Sequence, residues 1–471
     1  MEIGELFGDL RSLLQGRPTR RVWDGVCKEI DVWTLAELEE RILPYADGLA
    51  RRWRDEVRVA PSRWVNWDIE GVAVPQLMLA RTLDLSLGAD RIALNRSALE
   101  GLAASKRLGR VRRVSLENQR DAITALQAIC AAPWFGSVRA LSCAYADLFD
   151  SHLFRLSDGG MWSNLEALDL SYLPMGQLGV SVAIDAAPRL RALNMRGVQI
   201  DDGERFWEIP RGAITELDAR ECFLDEDGVL DGMLDSDWAS GLERVAFSGA
   251  FSSEELARFV GSEALSSLEE LSLLGCGRFD RRAVKALTDG PLTGKLEALD
   301  LRQRWVDAPA YGKASAEAIS RSGWASLRAL AVSGGAPGWT WGELLRRPRV
   351  FEGAPLRELT LERAAVNPGV LEVLLRTEWA KGLETLDLRG NPLGVRGVRA
   401  LLASPVATRL RTLVLANCGI TQEGVVELAN AEVLSGLEHL DVRDNSLGVR
   451  AKHALRHSAV LAGADILGMD A

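Results

Sequence analysis

The stretch LETLDLRGNPLG, residues 383–394, shows the pattern that governs most of this chain. It reads Leu-x-x-Leu-x-Leu followed by a turn, and a short helical segment comes next. The pattern occurs thirteen times between Val111 and Val442, at intervals of 24 to 31 residues, with clear copies in LRTLVLANCGIT (410–421) and LEHLDVRDNSLG (437–448). Internal repeats of this length predict a solenoid, in which each strand-and-helix unit shares its apolar core with its neighbours.

One slot in the repeat, three residues after the third Leu, is predicted to hold a side chain that turns inward and binds the backbone of the loop. Asn or Cys fills this slot in five repeats: Cys222, Cys276, Asn391, Cys418 and Asn445. Val198, Arg304 and Gly335 replace it in three others, where we expect irregular loops. The six cysteines are widely separated and fit structural positions, so we expect neither disulfides nor a metal site.

These features closely resemble the ribonuclease-inhibitor-like class of leucine-rich repeats: the 27-residue unit, the Asn/Cys slot, the NPLG and DNSLG turns and the return helix. The resemblance covers roughly residues 80–460. It implies an α/β leucine-rich-repeat solenoid, a right-handed horseshoe with a parallel sheet on the concave face and helices on the convex face. Proteins of this class usually bind other proteins, and many bacterial cytosolic proteins are built from similar arrays.

The repeats do not extend over the whole chain. Residues 1–75 lack them and read as short helices, which predicts an N-terminal helical cap over the exposed end of the first repeat. Residues 76–460 are the solenoid, with about 13–14 repeats, and residues 461–471 form a C-terminal tail. A tryptophan recurs shortly before the strand in five repeats and alternates there with Leu or Val, which indicates a core position: Trp134, Trp162, Trp238, Trp324 and Trp379.

Composition restricts the partners. The net charge is −10 and the isoelectric point is near 5.3, which argues against a general attraction to nucleic acid or to an anionic membrane. No stretch approaches 18 consecutive apolar residues, and the first residues do not resemble a secretory signal. We therefore expect a cytoplasmic protein, a monomer, whose partner is a protein of unknown identity.

Charged residues fill two columns of the predicted concave face. The residue between the second and third Leu is Asp in several repeats, including Asp169, Asp218, Asp300, Asp387 and Asp441, and is Asn194 in another. The residue after the third Leu is Arg196, Arg220, Arg302, Arg389 or Arg443. Two interpretations remain open: the charges neutralise each other between neighbouring strands, or they form a mixed-charge surface that selects a protein partner.

The same columns contain no aromatic residue, whereas aromatics gather in the loops of two irregular repeats. In LRQRWVDAPAYGK and VSGGAPGWTWGELLRRP, the candidates are Trp305, Tyr311, Trp339 and Trp341. Inserted loops of such arrays often lie on the binding side. These loops therefore predict a binding rim, unless Trp341 and also Trp339 are packed beneath the following helix.

No motif predicts catalysis, a cofactor or a metal. None of the four histidines accompanies a Ser or Cys in a nucleophile turn, and phosphate-binding glycine loops are absent from the sequence. The favoured function is a non-enzymatic scaffold that recognises a protein through the concave face and rim loops. Two alternatives remain: an activating protein of a small GTPase, which would need a committed Arg or Asn on the rim, and an adaptor that acts through residues 1–75.

Overall fold

The computed structural model describes residues 3–16, 18–87, 94–157, 160–222, 228–276, 279–303, 312–336, 339–345 and 351–468. These residues form two compact units. The first contains residues 1–202 and 208–222, and the second contains residues 203–207 and 223–471.

The first unit begins with helices and continues with alternating strands and helices. Its helices are α1 Ile3–Gln15, α2 Arg20–Ile30, α3 Leu35–Glu37, α4 Leu43–Ala50, α5 Ser62–Ile69, α6 Arg96–Ala104, α7 Ala122–Cys130, α8 Asp150–Ser157 and α9 Gln177–Ala186, with a π-turn at Leu38–Ile42 and 3₁₀ turns at Pro75–Leu79 and Pro133–Ser137. Its strands are β1 Thr82–Asp84, β2 Arg113–Ser115, β3 Ala140–Ser142, β4 Ala167–Asp169, β5 Ala192–Asn194 and β6 Glu216–Arg220. Each strand pairs in parallel with the next along the chain.

The second unit repeats this arrangement. Its helices are α10 Gly203–Phe206, α11 Val229–Leu234, α12 Asp237–Gly241, α13 Ser253–Val260, α14 Arg281–Asp289, α15 Lys313–Arg321, α16 Trp341–Leu344, α17 Pro368–Leu374, α18 Gly394–Leu402, α19 Gln422–Asn430 and α20 Val449–Arg456, with 3₁₀ turns at Trp379–Gly382, Pro405–Arg409 and Glu432–Leu434. Its strands are β7 Arg244–Ser248, β8 Glu270–Ser272, β9 Ala298–Asp300, β10 Ala329–Ser333, β11 Gly335–Ala336, β12 Trp339–Thr340, β13 Glu358–Glu362, β14 Thr385–Asp387, β15 Thr412–Val414, β16 His439–Asp441 and β17 Asp465–Leu467. All of these strands except β11 and β12 pair in parallel and in chain order.

The repeat leucines form the core, as the pattern predicts. Leu386 lies beside Leu359 and Leu413 in the strand register, and its side chain is fully buried. Leu168 and Leu271 are each only 2% exposed. The fold is therefore the predicted α/β leucine-rich-repeat solenoid, in which each middle leucine packs against those of adjacent repeats.

Tryptophans before the strands complete this core in four of the five predicted positions. Trp134, Trp162, Trp238 and Trp324 are buried. Two of them also satisfy a backbone carbonyl, because the indole Nε1–H of Trp134 donates to Leu102 O at 2.8 Å and that of Trp324 donates to Ile319 O at 2.7 Å. Trp379 is half-buried and meets Phe351 edge to face.

The Asn/Cys slot behaves as predicted. Asn391 is buried, and its Nδ2 donates to Leu361 O at 2.7 Å and to Leu388 O at 2.8 Å, while its Oδ1 accepts the amide of Val366. Cys418 in the next repeat donates its Sγ–H to Leu388 O at 3.0 Å. Each slot residue thus joins its own turn to that of the preceding repeat, which a purely apolar side chain cannot do.

Gly335, one of the substituted slots, lies in the predicted irregular region. There β11 and β12 form a small antiparallel hairpin, with Gly335 opposite Thr340 and Ala336 opposite Trp339. Arg304 lies outside the described residues. The C-terminal tail contains a strand that the pattern does not predict, because β17 pairs with β16 through Leu440 and Ile466.

The N-terminal helices are joined to the first strand by backbone hydrogen bonds. The amides of Arg81 and Thr82 donate to Arg58 O, and the amide of Ala60 donates to Thr82 O at 2.9 Å. The Arg58 side chain is 2% exposed, donates to Leu79 O and Ala50 O, and pairs with Asp47 at 3.2 Å. Residues 58–60 therefore cover the free edge of β1.

We expect the Asn391→Ala variant to lower the free energy of unfolding by about 2–4 kcal/mol, because two carbonyls and one amide lose a buried partner. Asn391→Cys places the residue of the sister slots there and should lose about half as much. Urea-induced unfolding measures both changes. Equal losses for Ala and Cys would show that packing, and not hydrogen bonding, decides the slot.

Deleting residues 1–75 should leave the remaining repeats insoluble, because the edge of β1 that residues 58–60 cover becomes exposed. Expression followed by size-exclusion chromatography checks this outcome. A soluble, well-folded array would instead favour the interpretation of residues 1–75 as a separable adaptor.

Candidate functional site

In each of the four Asp-x-Arg repeats, the aspartate and the arginine of the same repeat form an ion pair at the end of their strand. In the repeat of β9, Arg302 Nε donates to Asp300 Oδ1 at 3.0 Å and Nη2 donates to Oδ2 at 2.7 Å. Arg443 binds Asp441 with the same two distances. Arg389 pairs with Asp387 at 2.6 Å, and Arg220 pairs with Asp218.

This geometry corrects the expectation of cross-strand neutralisation. The register neighbours of Asp387 are Thr360 and Val414, which carry no charge. Residues two apart on a strand point to the same side, so the long arginine side chain folds back onto the aspartate of its own repeat. Arg302 also reaches another repeat, at 3.8 Å between its Nη1 and Glu362 Oε2.

The middle-column aspartate has a second task. Its Oδ1 accepts the backbone amide of the residue two positions later, at 3.0 Å for Arg302, Arg389 and Arg443. Asn194 and Asp169 accept the amides of Arg196 and Ser171 in the same way, at 3.1 and 2.9 Å. An acceptor at this position therefore closes the turn after the strand, which explains why Asp or Asn recurs there.

In two of these pairs the arginine is exposed although its aspartate is buried. Arg389 and Arg443 have side chains that are 40% and 53% exposed, whereas Asp387 and Asp441 are 7% and 2% exposed. The three pairs of the second unit make up the charged face: Asp300, Arg302, Asp387, Arg389, Asp441 and Arg443. In each pair the aspartate fixes the orientation of the guanidinium, and the pair as a whole carries little net charge.

The Asp441 carboxyl is held in its ionised form. Burial raises its pKa, but hydrogen bonds from the side chain and amide of Arg443 and the charges of Arg443 and Arg389 outweigh burial, so its pKa is lowered overall. The ion pair therefore persists throughout the neutral range.

Arg196 departs from this scheme because its middle-column partner is Asn194. Its guanidinium instead pairs with Glu221 of the next repeat, from Nε at 3.0 Å and Nη2 at 2.6 Å. The guanidinium also lies 5.4 Å from the ring centroid of Tyr172 of the preceding repeat. Arg196 thus connects three repeats.

Tyr172 belongs to a feature that the sequence pattern did not predict. The second residue after the third Leu has a positive φ in eleven repeats: Asn118, Tyr145, Tyr172, Gly197, Glu221, Gly275, Gly334, Arg363, Gly390, Asn417 and Asp444. Gly, Asn and Asp suit this left-handed conformation, whereas tyrosine does so rarely. Alignment of the repeats could have revealed this feature, because two tyrosines stand in a slot that is otherwise filled mainly by Gly and Asn.

The predicted aromatic rim receives a correction at Trp341. Its side chain is fully buried and stacks on Phe351, with the ring planes at 19°. Trp341 is the first residue of α16, and its buried side chain cannot contact a partner. The prediction of Trp341 as a binding residue was therefore wrong. Trp305 and Tyr311 lie outside the described residues, and of Trp339 only the backbone, in β12, is described.

Cysteines offer no exposed nucleophile. All six are free and buried, and burial raises the pKa of Cys130 and Cys222 to about 12 and that of Cys418 to about 11.

In the described part of the chain no group of three or more His, Cys, Asp or Glu is placed to hold a metal ion. Over that same part, every helix is too short or too polar to span a bilayer.

Comparison with known proteins agrees with the fold. The sequence model described as Leucine Rich repeat matches residues 383–402 and 407–429. Together with the strand-and-helix repeat of the structure, this match defines a leucine-rich-repeat protein. Among curated proteins, none has a sequence that matches the chain.

Two solved structures are similar to parts of the chain. One is the crystal structure of TLR13 with ssRNA13, at 17% identity and a TM-score of 0.36, covering 85% of this chain and 68% of that one. The other is a protein from Bacteroides fragilis, at 16% identity and a TM-score of 0.33, covering 55% of this chain and 66% of that one. Neither similarity bears on the partner of this chain.

We expect Asp441→Asn to lower the free energy of unfolding at pH 7 by about 1–2 kcal/mol, because Asn still accepts the Arg443 amide but loses the charge pair. A carboxyl with a lowered folded-state pKa stabilises above its unfolded pKa of about 3.9 and ceases to do so as the pH falls through the folded value. The difference between wild type and variant should therefore disappear in strong acid. Urea titrations at pH 7 and near pH 2 test this, and a difference that is unchanged with pH would contradict it.

Proposed function

We propose that this protein is a non-enzymatic scaffold of the ribonuclease-inhibitor-like type that acts in the cytoplasm as a monomer. It binds a protein partner through the charged face and through the rim loops containing Trp305, Tyr311 and Trp339. The observation that carries the proposal is the exposure of Arg389 and Arg443 above buried carboxylates.

Physical reasons favour these arginines as binding residues. A free arginine side chain loses considerable rotamer entropy when a partner immobilises it, whereas Arg389 and Arg443 are already held by their aspartates. The described bonds of Arg443 use Nε and Nη2, so Nη1 remains available to donate a hydrogen bond to a carbonyl or carboxylate oxygen of a partner. Arginine is also among the residues that contribute most to protein interfaces.

The chemistry of the described residues supports a non-catalytic role. The cysteine thiols are buried and protonated at neutral pH, so they cannot act as thiolate nucleophiles. The charged face consists of arginine–carboxylate ion pairs, in which each carboxylate is already bound by a guanidinium. Such a surface suits recognition of shape and charge.

Partner capture from the source cell should distinguish this face from the rest of the surface. We expect Arg389→Gln with Arg443→Gln to reduce the captured partner about tenfold or more. The matched control is Arg282→Gln with Arg399→Gln, which removes two charges from helices α14 and α18, where these side chains are 63% and 56% exposed. Glutamine still offers a donor to each aspartate, so we expect both double variants to fold, and circular dichroism checks this.

Equal loss of capture in both double variants would show that the net charge of the protein, and not the charged face, determines binding. Unchanged capture in both would overturn the assignment to the charged face. Trp305→Ala and Trp339→Ala, measured in parallel, then decide whether the rim loops bind the partner.

A further inference from the structure

Tyr145 and Tyr172 form a stacked pair at the ends of adjacent strands in the first unit. Their ring centroids are 4.5 Å apart with planes at 13°. Both residues have a left-handed backbone, with φ of 56° and 55°, a conformation that is unfavourable for a side chain of this kind. Tyr145 is nevertheless 55% exposed, so burial of its ring does not repay this cost.

One end of the stack already binds a cation. The Arg196 guanidinium lies over Tyr172, and Glu221 pairs with that guanidinium and accepts the Tyr172 hydroxyl at 3.3 Å. Gly197 makes this possible, because a Cβ there would lie 2.5 Å from Tyr172 Cδ1. The sequence of groups is carboxylate, guanidinium, ring, ring.

Two carboxylates without a guanidinium flank Ser142, which ends the strand that leads to Tyr145. Ser142 donates from Oγ to Glu117 Oε1 at 3.1 Å and lies 3.5 Å from Asp169 Oδ2, since its strand is between theirs in the register. Neither Glu117 nor Asp169 forms an ion pair with any described residue. Asp169 occupies the column in which four sister aspartates pair with an arginine two residues later, but that position holds Ser171.

We propose that Glu117, Asp169 and the exposed Tyr145 ring bind an arginine side chain of the protein partner. The guanidinium supplies the donors that Asp169 lacks from its own repeat and bridges to Glu117, while its flank contacts the Tyr145 ring. Charge-assisted hydrogen bonds and cation–π contact favour arginine over a neutral side chain in such a place. This inference rests on the proposed protein-binding function and adds the chemistry of one contact.

The full chain contains four tyrosines, so incorporation of 3-fluorotyrosine gives four ¹⁹F resonances. The probe is the capped tripeptide acetyl-Gly-Arg-Gly-amide, compared with the same peptide carrying citrulline, which keeps the planar shape without the charge. We expect a saturable shift of the Tyr145 resonance with the arginine peptide and binding about tenfold weaker with citrulline. The Tyr45 resonance serves as an internal reference.

Three variants make the test specific. Glu117→Gln with Asp169→Asn should abolish the shift, whereas Glu100→Gln with Asp24→Asn, on helices α6 and α2, removes the same charge from exposed positions and should leave it unchanged. Tyr145→Asn introduces the residue that Asn118 and Asn417 supply in the same slot, so it should fold. We also expect it to bind the arginine peptide more weakly, and the shift of the Tyr172 resonance measures this binding.

Absence of a Tyr145 shift at millimolar arginine peptide, or equal binding of the citrulline peptide, would overturn the assignment. So would equal binding by the two double variants. Because the probe is a free peptide, this result is independent of partner capture at the charged face, and failure of one test leaves the other readable.

Discussion

Every repeat depends on its neighbours for a complete core. A three-residue strand such as β14 pairs in parallel with strands on both sides, and its central Leu386 has no solvent contact only because Leu359 and Leu413 lie beside it. Such a unit could not bury enough apolar surface alone. The Asn/Cys slot acts in the same direction with polar groups, since Asn391 satisfies carbonyls of two successive repeats. Apolar and polar interactions thus impose the same register.

With that register fixed, the turn after each strand becomes the place where repeats can differ. Its amide is satisfied by the middle-column Asp or Asn, and the next residue adopts a left-handed backbone. Where arginine stands two residues after the aspartate, the two side chains pair within their own repeat, and three such pairs form the charged face. Where Asn194 replaces the aspartate, Arg196 turns to Glu221 and Tyr172 instead. One change of acceptor therefore redirects an arginine from a local pair to an interaction between repeats.

The sequence was sufficient for the features that recur within one repeat. The leucine positions, the inward slot of Cys418 and Asn391 and the buried tryptophans follow from periodicity, because every copy repeats the same physical requirement. The partners of charged side chains did not follow, since Asp387 could have faced either its own Arg389 or a neighbouring strand. Trp341 was also ambiguous, because an aromatic in an irregular loop packs inward or outward according to the course of that loop. The tyrosine pair required knowledge that its slot is left-handed, a backbone property that leucine spacing does not encode.

The closure of each Asp–Arg pair within a single repeat bears on how such an array can change its length. Duplication or loss of the repeat containing Asp300 and Arg302, or of that containing Asp441 and Arg443, carries both partners of the pair together and orphans neither charge. The network of Tyr172, Arg196 and Glu221 cannot be inherited so freely, because its members come from three consecutive repeats. Recombination can therefore lengthen the regular part of the chain at small electrostatic cost, while the order of repeats around Arg196 is held fixed.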